Sequence, residues 1–134
     1  MLFAWDITVP ANTLEDDAIE QLLKLTHGVI TGVEVKFPSG CHGMVNVRIL
    51  HEESVLIPAG KDTWITGDDE VVTSNEYFEL LSEPYQLKFV GHSEGTDYDH
   101  HITVRVTIQP YWLAAASKTL GKMVDSIRRL LGLE

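Results

Sequence analysis

Tyr85-Gln-Leu-Lys-Phe89, Gly91-His-Ser-Glu-Gly-Thr96 and Ile102-Thr-Val-Arg-Val-Thr-Ile108 are the segments that decide the fold. The first and last alternate apolar and polar residues, and the middle one carries turn chemistry, so residues 84–109 read as an antiparallel β-hairpin. Tyr85, Leu87 and Phe89 share one face of the first strand. Ile102, Val104, Val106 and Ile108 share one face of the second, with Gln86, Lys88, Thr103, Arg105 and Thr107 opposite. One face buried and one wet is the signature of an antiparallel sheet, either open or half of a sandwich.

The same two-residue period recurs upstream. Phe3, Trp5, Ile7 and Val9 alternate until Pro10, which predicts a first strand. Residues 18–25 fit a short helix, since Ile19, Leu22 and Leu23 share a helical face, or a strand; the β-prone Thr26-His-Gly-Val-Ile-Thr31 that follows favours the strand. Val33, Val35 and Phe37, the turn Pro38-Ser-Gly-Cys-His-Gly43, and Val45, Val47 and Ile49 predict a second hairpin. Val55-Leu-Ile57, stopped by Pro58, is short enough for an edge strand. Residues 59–69 form the longest connection, and residues 70–80 are again β-prone. The total is about eight strands at short intervals, which predicts a mainly β chain built as an antiparallel β-sandwich or jelly roll.

After Pro110 the period changes. Leu113, Ala116, Leu120, Met123, Ile127 and Leu130 recur at heptad spacing, with Lys118, Lys122, Asp125 and Arg129 on the opposite side. That predicts an amphipathic α-helix, closed by Gly132, with Arg128 and Arg129 in its last turn where positive charge suits the helix dipole. Gly121 in its middle costs about 1 kcal/mol relative to Ala, so packing must hold the helix together. The expected organisation is a β-sandwich domain over residues 1–110 and an oligomerisation helix over 111–134.

Charge narrows the partners. The 134 residues carry ten basic and twenty acidic side chains, for a net charge of −10, which argues against a nucleic-acid backbone as partner. Residues 1–112 hold six basic against eighteen acidic side chains, and residues 113–134 hold four against two, so an acidic body carries a mildly basic tail. No apolar run approaches the roughly 18 residues of a membrane span. The start Met1-Leu-Phe-Ala-Trp-Asp6 lacks the basic region of a signal peptide, and the single cysteine fits a reducing compartment. A cytoplasmic or virion-associated protein, with neither membrane nor nucleic acid as partner, is the expectation.

Candidate sites are few. Around Asp97-Tyr-Asp-His-His101, Asp99 with His101, or Asp97 with Asp99, point the same way on a strand, and His92 lies across the turn; no second pair at ligand spacing joins them, so no metal or other cofactor is expected. The acidic runs at residues 15–17 and 68–70 lack the calcium-loop pattern and read as solvated loops. Cys41 and His42 have the chemistry of nucleophile and base, but adjacent side chains seldom meet, and the glycine turn around them explains itself by backbone needs. Hydrolase and nucleotide-binding glycine motifs are absent in usable context, so no catalytic residue is assigned. Lys36, Arg48, Lys88 and Arg105 fall opposite the core on their strands, which reads first as a solvated face; the sharper alternative is that basic sheet faces of one copy meet acidic loops of another.

Short alternating strands followed by one terminal helix resemble the small jelly-roll or β-sandwich proteins that decorate or cement phage-type capsids. The resemblance carries over no functional residue, and what it implies is a non-enzymatic structural component of a virion or shell. The expected interface is Leu113, Ala116, Leu120, Met123, Ile127 and Leu130, and the expected partners are further copies of the chain, with other shell or capsid subunits beyond them. Two alternatives stand beside this reading. A carbohydrate- or small-ligand-binding sandwich would use Trp64, Tyr98, Tyr111 and Trp112, and a small cupin-like metal enzyme would use His92, Asp99, His100 or His101.

Overall fold

Alternation governs the chain as the sequence predicts, but not through the pairings it predicts. The computed structural model describes residues 1–60 and 62–132. In chain order the described residues form β1 (Leu2–Val9), a short 3-10 turn (Glu15–Asp17), β2 (Ile19–Lys24), β3 (Gly28–Phe37), β4 (Asn46–His51), β5 (Ser54–Ile57), β6 (Ile65–Thr66), β7 (Glu70–Leu80), β8 (Gln86–His92), β9 (His100–Gln109) and α1 (Tyr111–Leu131). The ambiguous residues 18–25 resolve as a strand. Lys61, inside the long connection, and Leu133 and Glu134, the end of the expected helical segment, lie outside the described residues.

Two antiparallel sheets face each other. One runs β1-β9-β3-β7; the other runs β2-β8-β4-β5, with β6 added against β4. Consecutive strands from β1 to β4 and from β7 to β9 alternate between the sheets, which is the winding of a jelly roll. The core is the shared inner face, where Val9, Phe37, Ile49, Phe89, Val104 and Val106 are fully enclosed.

Both predicted hairpins are therefore corrected. β8 pairs with β2 and β4, while β9 pairs with β1 and β3, so residues 84–109 contain two strands of opposite sheets. β3 and β4 are likewise split between the sheets. Alternation identifies which side chains go inward but is blind to the neighbour. The connections 38–45 and 93–99 are long enough to step across the roughly 10 Å between packed sheets. The hairpin joining consecutive strands is β4–β5, turned at Glu52 in the left-handed region (φ 55°). β5 is an edge strand, as predicted.

The four basic strand residues do point outward, but from two different sheets. Lys36 and Arg105 lie on the outer side of the β1-β9-β3-β7 sheet, and Arg48 and Lys88 on the outer side of the other. Arg105 pairs with Glu34 at 3.2 Å and Lys88 with Glu20 at 3.9 Å. Arg48 donates through Nε to the Thr63 carbonyl at 2.7 Å and stacks on Trp64. Three of the four thus have partners within the chain.

Candidate functional site

α1 begins directly after Pro110 and closes at Gly132, whose left-handed backbone (φ 70°) lets its N–H reach the carbonyls of Arg128 and Arg129. Its attachment to the sandwich is slight and comes from the side opposite the heptad stripe. Ala114, 3% exposed, is the buried residue of the helix. The Lys118 ammonium lies 4.3 Å from the Tyr77 ring centre on β7. Burial pushes the Tyr77 hydroxyl upward in pKa, with smaller contributions from Glu79 and Tyr111.

The stripe faces away. Leu113, Ala116, Leu120, Met123, Ile127 and Leu130 are all exposed, Leu130 to 86%. Trp112, 71% exposed, and Leu131 extend the stripe along its length, and Val124 widens it to an arc of roughly 120° at 3.6 residues per turn. The sequence reading missed this width because it followed heptad positions alone. At the helix root, Met1, Thr26, His27, Ile108, Tyr111 and Trp112 line an open cleft of about 570 Å³ that continues the apolar surface.

The four aromatics proposed for ligand binding do not converge. Tyr111 and Trp112 sit at the helix root. Tyr98, in the β8–β9 connection, points its hydroxyl to the Gly40 carbonyl at 3.5 Å and its ring against His100. Trp64 covers the outer side of β8, where its ring meets His92 edge-on at 4.5 Å and carries the Arg48 guanidinium at 3.8 Å from its centre. His92 is thereby 7% exposed, and neither of its ring nitrogens has a hydrogen-bond partner.

The histidines and acids around residue 99 also part company. His100 and His101 point to opposite faces of β9: His100 is buried, whereas His101 meets the Thr8 hydroxyl at 3.0 Å. Asp99 accepts a hydrogen bond from the Ala11 N–H at 2.8 Å. Among the described residues no three of His, Cys, Asp or Glu are grouped to hold a metal ion. Cys41 and His42 diverge, as adjacent residues do. Cys41 is enclosed with its Sγ 3.7 Å from His100 Nδ1, a contact no spacing rule could reveal. Burial, then the charge of Asp68, pushes the Cys41 thiol up, so its nucleophilic form is disfavoured. His42 lies outside, 3.7 Å from Asp68.

One further cavity was not anticipated. Leu56, Ile57, Pro58, Trp64, Ser74 and Glu76 line an open groove of about 520 Å³ between β5 and β7. Its signal is visible in hindsight: Ser74 and Glu76 occupy positions of β7 where Val72 and Phe78 set an apolar rhythm.

Among the described residues no helix is long and apolar enough to cross a membrane. No protein-family model matches the chain, and no curated protein matches it by sequence. Among solved structures, the chain is similar to the Yersinia pseudotuberculosis-derived mitogen at a TM-score of 0.45 and 6% identity, over 81% of this chain and 86% of that one. It is also similar to a protein of Bacillus endospore appendages, described as disulfide-linked pili, at a TM-score of 0.35 and 10% identity, over 81% of this chain and 88% of that one. Scores this low carry no argument about what the chain does.

Proposed function

We propose that this protein is a non-enzymatic structural unit that assembles with copies of itself through α1 and displays its β-sandwich outward, as a component of a shell, virion or comparable particle. The observation that carries this reading is the orientation of the helix: its polar side is fastened to the sandwich by Ala114 and Lys118, and its apolar side is turned to solvent. Leu, Ile, Met and Val side chains gain about 1.5–3 kcal/mol each on full burial, and association costs about 4–15 kcal/mol. Covering Leu113, Leu120, Met123, Val124, Ile127, Leu130 and Leu131 by a neighbouring chain supplies a gain of the same order as that cost. The cleft at the helix root, continuous with the stripe through Trp112, enlarges the same contact.

Native mass measurement with light scattering tests the assembly. The intact chain is expected as a discrete multimer and Leu120→Asp as a folded monomer with unchanged β-sheet circular dichroism. A monomeric wild-type chain, or a multimer indifferent to Leu120→Asp, overturns the reading.

A further inference from the structure

The two sheets are unequal along one side. β7 spans Glu70–Leu80, whereas β5 at the facing edge of the other sheet has only Ser54–Ile57. The shortfall leaves the groove of about 520 Å³ open between them. Val72 and Ser74 stand opposite Val35 and Val33 of the core, so this part of the inner side of β7 looks into the groove, and Glu76 lines it with them.

A carboxylate set among apolar walls is costly unless something satisfies it. Glu76 Oε1 accepts a hydrogen bond from the Ser74 hydroxyl, and among the described residues no cation pairs with Glu76. Around it stand Ile57, Pro58, Ile65 and Trp64. Thr66 and Thr73 add hydroxyls at the rim.

We propose that this groove is a binding site for a small ligand carrying a primary ammonium on a short apolar stem. Its volume lies within the range of small-molecule sites, and its lining is apolar with a few polar groups. The stem would lie along Ile57, Pro58 and Val72, and the ammonium would donate to Glu76. A point charge suits the site better than a guanidinium fork, because Ser74 already occupies one carboxylate oxygen. The net charge of −10 favours approach of any cation. The competing explanation is that Glu76 is an inward charge that keeps the long β7 edge from pairing with other strands.

NMR titration of the full chain with n-butylammonium, 1-butanol and butyrate separates the two. Butylammonium is expected to give saturable shifts at residues 56–58, 64–66 and 72–76, with butanol and butyrate about tenfold weaker or worse. Glu76→Gln should weaken butylammonium binding about tenfold while the amide spectrum stays folded, and Ser74→Ala should retain binding. Equal affinity for butanol, undiminished binding by Glu76→Gln, or no saturable shift at these residues overturns the proposal. Glu76→Gln that aggregates in a protein showing no butylammonium binding assigns Glu76 to edge protection instead.

Discussion

The ammonium of Lys118 lies 4.3 Å from the centre of the Tyr77 ring, and this pairing fixes which side of α1 meets the sandwich. A cation–π contact at an exposed site contributes about 0.5–1 kcal/mol, enough to bias a helix that has one buried residue. Lys118→Ala should therefore loosen α1 from β7 while leaving the stripe intact. Hydrogen exchange across residues 77–79 should accelerate, and the multimer should persist.

The width of the stripe bears on the number of chains. Val124 and Leu131 flank the heptad seam, and a two-helix seam leaves such positions at its margin, whereas a larger bundle buries them. Sedimentation equilibrium should give three or more chains per particle. Val124→Lys together with Leu131→Lys should lower that number or dissociate the particle, with the sandwich still folded.

Asp68 sets an acid limb of stability. The His42 backbone N–H is the largest cause that lowers its pKa; the Gly40 N–H at 2.9 Å, the His42 ring and the Cys41 N–H assist, against some desolvation. A folded pKa below the unfolded one means that the contribution is present above the ordinary carboxylate range and is lost as pH falls through it. Asp68→Asn should unfold more readily at neutral pH and show a shallower loss of stability on acidification, read by denaturant midpoints across pH.

Cys41 gives the opposite limb. Its raised pKa makes the folded state hold the thiol proton more tightly, so stability is full below the free-thiol range and declines as pH rises through it. Iodoacetamide should leave native Cys41 almost unmodified at neutral pH and label it promptly in denaturant. Cys41→Ala should flatten the alkaline decline in chemical unfolding.

Gly91 leaves space that a methyl group would take. A Cβ there would lie 2.9 Å from the Phe89 ring and 3.3 Å from Val9. Gly91→Ala should cost about 1–3 kcal/mol through overpacking, part of which Phe89→Leu should restore; Phe89→Ala alone should cost about 3–5 kcal/mol. Thermal unfolding of the three variants checks the ordering.

How much of this was legible in the sequence depends on the distance over which each feature is decided. The inward faces at Leu87, Phe89, Ile102 and Val104, the edge character of β5, and the bounds of α1 at Pro110 and Gly132 follow from neighbours a few residues away, and all were readable. Pairing was not, because β1 meets β9 and β2 meets β8 through contacts that no local pattern encodes. The same limit hid the Cys41–His100 contact and the burial of His92 under Trp64, each made across strands distant in sequence. Glu76 was visible as a break in rhythm, but its meaning needed the shortness of β5 to expose the groove.

The winding also dictates when the fold can come into being. Leu2 finds Thr107 and Ile19 finds Gly91, so on the ribosome β1 and β2 wait for partners that are made long after them. Until then only β4–β5, β4–β6 and β3–β7 can close, and the rest of the apolar surface is without its native partners. Because α1 follows β9 in the chain, its sticky flank is synthesised only after every strand of the sandwich it is fastened to.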